Sequence, residues 1–173
     1  MPSQKLREFA KEYFSENAVS TAKNDLFLTE EEIALLPSNK QKIGDISIVS
    51  IPAALSHKKE EIGKLLLLAD KNTRLVLNDS GIQGQYRIPN REIIGMRFSD
   101  PALQKTETIH KENSCQFKLD VSKIMFSKGN LEEKRRFAAN CSDETVVDMF
   151  AGIGYFSIPA AVHSKPKKVI SIE

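Results

Sequence analysis

The stretch Thr145–Glu173, TVVDMFAGIGYFSIPAAVHSKPKKVISIE, constrains the fold more than any other part of the chain. The apolar pair Val146–Val147, ending on Asp148, predicts a short buried strand. Ala151-Gly152-Ile153-Gly154 follows as a tight turn, and the apolar spacing after it predicts a helix from Tyr155 to about His163. Pro166 interrupts that helix pattern, and Val169–Ile172 predicts a second strand closed by Glu173. Strand, glycine turn, helix, strand and acid together make the opening βαβ unit of a nucleotide-binding doubly wound sheet.

The spacing has a physical logic. Glycines at 152 and 154 let the backbone bend sharply and approach a ligand that a Cβ would exclude. The N–H groups of the turn and of the helix start are free to bond a ligand's polar atoms. A carboxylate at position 173 suits a pair of ribose hydroxyls. The dinucleotide fingerprint requires a third glycine, but position 157 is Ser, and no P-loop lysine follows. Neither NAD nor ATP fits that pattern.

Upstream, residues 1 to about 36 read as helices. Leu6, Phe9, Ala10, Tyr13 and Phe14 form an amphipathic stripe, and Thr29 with Glu32 forms a capping box. A strand is expected over residues 42–51, ended by Pro52, then a helix from Leu55 to Asp70. Further strands are expected at Thr73–Asn78 and Ile93–Phe98. Between them, Asp79-Ser80-Gly81 reads as a turn and Gly84–Pro89 as a loop or short edge strand. Thr106–Asp120 is the clearest hairpin, turning at Glu112-Asn113-Ser114. Ile124-Met125-Phe126 reads as a short strand, Ser127–Asn130 as a turn, and Leu131–Ala139 as a helix. His57, His110 and His163 read as structural or exposed imidazoles without chemistry.

Alternating strands and helices make this an α/β chain. Its expected parts are a small helical N-terminal segment (1–40), an α/β middle domain (41–122) and the start of a Rossmann-like domain (123–173). One βαβ unit cannot cover both faces of a parallel sheet, so the sequence reads as the N-terminal part of a longer enzyme. A net charge of +2 advertises no global field for nucleic acid, so any RNA contact must come from a local patch. No apolar run reaches membrane-spanning length, and the N-terminus is not signal-like. Cys115 and Cys141 lie far apart with no C-x-x-C and no paired histidines, which favours a reducing, cytoplasmic compartment and no metal site. Two readings stand for the 127–136 segment. Ser127 and Lys134 form a sensible pair for an amino acid's carboxylate, or Lys128, Lys134, Arg135 and Arg136 line a solvated helix face.

The segment Asp148-x-Phe150-Ala-Gly152-Ile-Gly154-x-Phe-x-x-Pro resembles the first motif of class I S-adenosylmethionine-dependent enzymes that act on RNA. IGDI (43–46), GQYRIP (84–89), TIHKEN (108–113) and FSKGNLEEKRR (126–136) extend the likeness. Together they resemble the paired tRNA-modifying enzymes of wyosine biology. One branch is a tRNA guanine-N1 methyltransferase acting beside the anticodon. The other is the wybutosine-synthesising aminocarboxypropyltransferase, and the turn at Ser127–Arg136 is closer to it. The resemblance implies S-adenosylmethionine as cosubstrate, tRNA(Phe) as partner and 4-demethylwyosine as acceptor. It also implies Ser127, Lys134 and Glu173 as cofactor contacts, with Asp148, Phe150, Gly152 and Gly154 in the turn beneath. Three alternatives remain: the guanine methyltransferase, a non-catalytic RNA-binding fragment, and a uracil or cytosine methyltransferase, which the middle-domain motifs disfavour.

Overall fold

The computed structural model describes residues 3–16, 26–85, 87–100 and 103–173. Part of the predicted N-terminal helical stretch, at 17–25, and Tyr86 of the GQYRIP loop lie outside the described residues. The chain divides into two compact units, Met1–Ile109 with Leu119–Met125, and His110–Lys118 with Phe126–Glu173. Both mix helices and strands, as an α/β chain should.

In the first unit, α1 (Ser3–Glu16) and α2 (Glu30–Leu35) precede a four-stranded sheet ordered β1-β2-β3-β4. Thr29 caps α2: its hydroxyl accepts the Glu32 N–H at 3.2 Å, and Glu32 Oε2 accepts the Thr29 N–H at 2.8 Å. The strands are β1 (Lys40–Ile43), β2 (Ile46–Val49), β3 (Leu75–Gln83) and β4 (Ile88–Met96). β2 and β3 run parallel, joined by a 3-10 turn (Ala53–Lys58) and α3 (Lys59–Ala69). The other neighbours are antiparallel. Val49, Leu55, Ile62, Leu65, Val76 and Ile94 are among the buried core residues. Gly63 of α3 and Gly95 of β4 bring backbone against backbone, since a Cβ on Gly63 would lie 2.0 Å from the Ile94 carbonyl oxygen.

Several local expectations change. The strand expected over 42–51 is a hairpin, β1 and β2, folded at Gly44–Asp45. The cause is tertiary: Gly44 sits at φ +55, and a Cβ there would lie 2.1 Å from Thr108 Oγ1. Asp45 anchors the bend, accepting from Arg74 Nε at 2.7 Å and from the Thr108 hydroxyl at 2.8 Å. Partial burial pushes its carboxyl up, but those hydrogen bonds and the Arg74 charge outweigh burial and hold it below the usual range. Asp79-Ser80-Gly81 is no turn; β3 runs through it, with an irregularity between Asp79 and Ile82 where Gly81 takes φ +98. The helix expected from Leu55 starts as a 3-10 turn.

The hairpin forms as expected, from β5 (Glu107–Glu112) and β6 (Cys115–Asp120). Its two-residue turn, Asn113 at φ 49 and Ser114 at φ 57, has the doubly left-handed geometry that matches strand twist. In the second unit follow α4 (Leu131–Asn140), β7 (Thr145–Asp148), α5 (Ser157–His163) and β8 (Lys168–Ser171). β7 and β8 are parallel neighbours, Thr145 opposite Lys168 and Asp148 opposite Ser171. Cys141, Val146 and Ala160 form their small core, with Phe137 and Val169 against it. Residues 124–130 carry no strand, contrary to the reading of Ile124–Phe126. Phe126 is instead buried edge-on to the rings of His110, Phe117 and Tyr155.

Alanine is intrinsically a better helix former than glycine by about 1 kcal/mol. Gly63→Ala is nevertheless expected to destabilise the protein by about 2–3 kcal/mol, because overpacking against backbone cannot relax. Chemical denaturation measures it.

Candidate cofactor site in the second unit

β7 delivers Asp148 to the start of the glycine turn, and the chain after β8 runs on alongside the same turn. Ile172 N–H donates to the Asp148 carbonyl at 2.8 Å, and Ala151 N–H donates to the Ile172 carbonyl at 3.0 Å. Gly152 (φ +55) and Gly154 (φ +89) occupy left-handed backbone that other residues rarely adopt. The Gly152 N–H donates to Glu173 Oε2 at 2.8 Å, so the acid that closes β8 lies directly on the bend. That carboxylate is exposed, and a carboxylate has several acceptor sites beyond the one Gly152 uses.

Behind the turn, α5 begins at Ser157, two residues later than the sequence pattern suggests, because Gly154 and its neighbours close a turn first. Asp148 Oδ2 and Ser157 Oγ are buried and have no hydrogen-bond partner among the described residues. Unsatisfied polar atoms of this kind are uncommon in native folds and concentrate where a ligand or water completes them. Phe150 is 87% exposed beside the turn.

The 127–134 segment is held by a second set of contacts. Lys134 does not lie on a solvated helix face; it is only 3% exposed. Its ammonium donates to Glu112 Oε1 at 2.9 Å and to the Ser127 carbonyl at 3.0 Å. It also lies 4.7 Å from the centre of the Tyr155 ring and 5.8 Å from that of Phe126. Ser127 in turn donates its N–H to the Tyr155 phenol oxygen at 2.9 Å. Asn130, at the N-terminus of α4, sits at φ 59 and makes no side-chain cap. Arg135 and Arg136 are exposed and pair with Glu132 and Glu133, and Lys128 is exposed in the preceding loop, so of the four cations Lys134 departs from the solvated reading.

The predicted residues therefore form two connected groups. Gly152, Gly154, Glu173 and Asp148 meet at the bend, while Ser127 and Lys134 touch directly. Tyr155 joins the groups, for its ring atoms lie 3.5 and 3.6 Å from where a Cβ on Gly152 would stand. Neither Tyr155 nor Glu112 is among the residues expected from sequence; the one follows Gly154 and the other lies in TIHKEN. Burial pushes the Tyr155 phenol up, the Ser127 N–H offsets this in part, and the Glu112 charge adds to the rise. Burial lowers the His110 imidazole, assisted by Lys128 and Lys134 and opposed by Glu112, so it favours the neutral form. Among the described residues no group of three or more His, Cys, Asp or Glu is placed to hold a metal. No helix among them is long and apolar enough to cross a membrane.

Two family models match the chain. Residues 25–95 match the TYW2 N-terminal domain, and residues 108–173 match the TRM5/TYW2 methyltransferase domain. Both models describe domains of TRM5/TYW2 proteins, and the chain is similar to that family over both segments. A relative from Methanocaldococcus jannaschii, named tRNA(Phe) (4-demethylwyosine(37)-C(7)) aminocarboxypropyltransferase, is 45% identical over 134 residues. The match covers 77% of this chain and 49% of that protein. The crystal structure of Pyrococcus horikoshii TYW2 in complex with MeSAdo matches with a TM-score of 0.66 at 34% identity. It covers 99% of this chain and 53% of that one. Trm5b from Pyrococcus abyssi matches at 0.65 and 36% identity, covering 81% and 42%. The chain thus spans about half the length of the curated TRM5/TYW2 relatives it matches.

Removing one partner of a buried ion pair strands the other charge. Glu112→Gln is expected to cost about 2–4 kcal/mol in urea denaturation. Glu132→Gln, which breaks an exposed pair on the same helix, is expected to change stability by less than about 0.5 kcal/mol.

Proposed function

We propose that the protein carrying this chain transfers the 3-amino-3-carboxypropyl group of S-adenosylmethionine to 4-demethylwyosine in tRNA(Phe). The observation that carries the reading is the linked pair of turns. One presents two left-handed glycines and an exposed carboxylate, and the other presents Ser127 on a backbone held by Lys134 and Tyr155. The bend and Glu173 suit an adenosine with its ribose diol. The unpartnered oxygens of Asp148 and Ser157 suit a site that a polar ligand completes. Ser127 and Lys134 suit the amino-acid end, a hydroxyl for one hydrogen bond and a cation beside a carboxylate. Phe150, exposed at the bend, offers an apolar face to the same ligand.

The family supports the same reading, because the relative from Methanocaldococcus jannaschii bears that activity in its name. The related Pyrococcus horikoshii structure is a complex with MeSAdo. The sulfonium carries three carbons open to displacement, and attack on the γ-methylene transfers the aminocarboxypropyl group and releases methylthioadenosine. The protein selects that carbon by orientation, holding it about 3–3.5 Å from the acceptor and in line. We assign residues 41–122 to a middle domain and 123–173 to the start of the cofactor-binding domain, and we place the activity in the cytoplasm.

The test uses the whole protein, tRNA(Phe) bearing either 4-demethylwyosine or an unmodified guanosine at the acceptor position, and S-adenosylmethionine labelled separately in the methyl and in the carboxyl carbon. Carboxyl label entering tRNA with methylthioadenosine release is expected. Methyl label entering tRNA would instead mean guanine methyl transfer, and binding without either transfer would mean a non-catalytic RNA-binding role.

A further inference from the structure

We propose that Tyr155 is a positioning residue whose phenol oxygen decides how tightly the methionine tail of the cofactor is gripped, while the grip on the adenosine end does not depend on that oxygen. This inference rests on reading the glycine bend as the S-adenosylmethionine site.

Residues 124–130 have no regular secondary structure, so no helix or strand ladder fixes Ser127. Two contacts do so instead. Its carbonyl accepts from Lys134 at 3.0 Å, and its N–H donates to the Tyr155 phenol oxygen at 2.9 Å. With both backbone polar groups held, the Ser127 hydroxyl departs from a fixed point even though the residue is exposed. The same tyrosine supplies the aromatic face under the Lys134 ammonium, 4.7 Å from the ring centre. Its ring packs edge-on to Phe126, the residue before Ser127, with centres 5.3 Å apart. Tyr155 itself is rooted one residue beyond Gly154, and its ring lies within van der Waals reach of the Gly152 position.

One side chain thus fixes the serine, the lysine and the bend relative to one another. The bend and Glu173 have their own ties: Gly152 N–H to Glu173, Gly154 N–H to Ala151 and Ile172 N–H to Asp148. None of these passes through the phenol. Loss of the phenol oxygen therefore loosens the tail's grip and leaves the adenosine's grip in place. Pre-organised groups bind more tightly because less ordering remains to be done on binding.

The test compares two ligands on the wild-type whole protein and on Tyr155→Phe by calorimetry. S-adenosylmethionine carries the amino-acid tail, and methylthioadenosine lacks it. Tyr155→Phe is expected to weaken S-adenosylmethionine about five- to tenfold, the scale of one lost hydrogen bond, and to leave methylthioadenosine within about twofold. Tyr155→Leu, which also removes the face beneath Lys134, is expected to widen that gap. Equal weakening of both ligands would make Tyr155 a structural residue only, and no weakening of either would remove it from the site; both overturn the proposal. Failure of the wild-type protein to bind either ligand would instead overturn the reading of the bend as an S-adenosylmethionine site.

Discussion

The second unit depends on an ammonium group kept away from water. Lys134 is 3% exposed, and a cation so placed must be paired or pay a large desolvation cost. Its partners come from three parts of the unit: Glu112 at the end of β5, the Ser127 carbonyl from an irregular loop, and the ring of Tyr155 after the glycine bend. That charge ties together a hairpin tip, a loop and a turn, whose rings Phe117, Phe126 and Tyr155 also pack edge-on. The small core of Cys141, Val146 and Ala160 lies elsewhere, between α4, α5 and the two strands. A buried pair of this kind is weak evidence for stability, because the desolvation of both charges offsets their attraction.

That arrangement separates two tasks. Backbone does the work at the bend: left-handed glycines, with the closing acid held on the Gly152 amide. Side chains do the work at the 127–134 turn, where a serine is presented from a loop restrained by Lys134, Tyr155 and the buried ring of Phe126. An elongated ligand with a nucleoside at one end and a zwitterionic tail at the other matches this division. Under the proposed reading, the sulfonium of that ligand offers more than one group for transfer. The placement of the tail is the natural point at which the outcome is chosen.

The parts legible in the sequence are those whose causes are local. The β7–turn–α5–β8 unit announces itself through glycines and apolar spacing, and the β5–β6 hairpin through strict alternation. The Thr29 cap needs only residues three apart. The parts that misled have distant causes. Gly44 bends the chain between β1 and β2 because Thr108 and Ile109 occupy the space a side chain would need, and nothing near Gly44 reports them. Asp79-Ser80-Gly81 has turn composition, yet pairing with β4 carries β3 through it. Ile124–Phe126 has strand composition, but Phe126 finds an aromatic cluster instead of a ladder partner. At the site, Lys134 among Lys128, Arg135 and Arg136 looks like one cation of a wet face. Only the fold shows which of them turns inward, and Glu112 and Tyr155 acquire their roles through it.

The central claim is that the glycine bend and the Ser127 turn are two ends of one ligand site. Titration of the isotope-labelled protein with S-adenosylmethionine, followed through backbone amide resonances, tests it most directly. The account predicts that the amides of Gly152, Gly154 and Ser127 shift together with a single saturation curve. Shifts confined to one of the two turns, or centred on residues of the first unit, would contradict it.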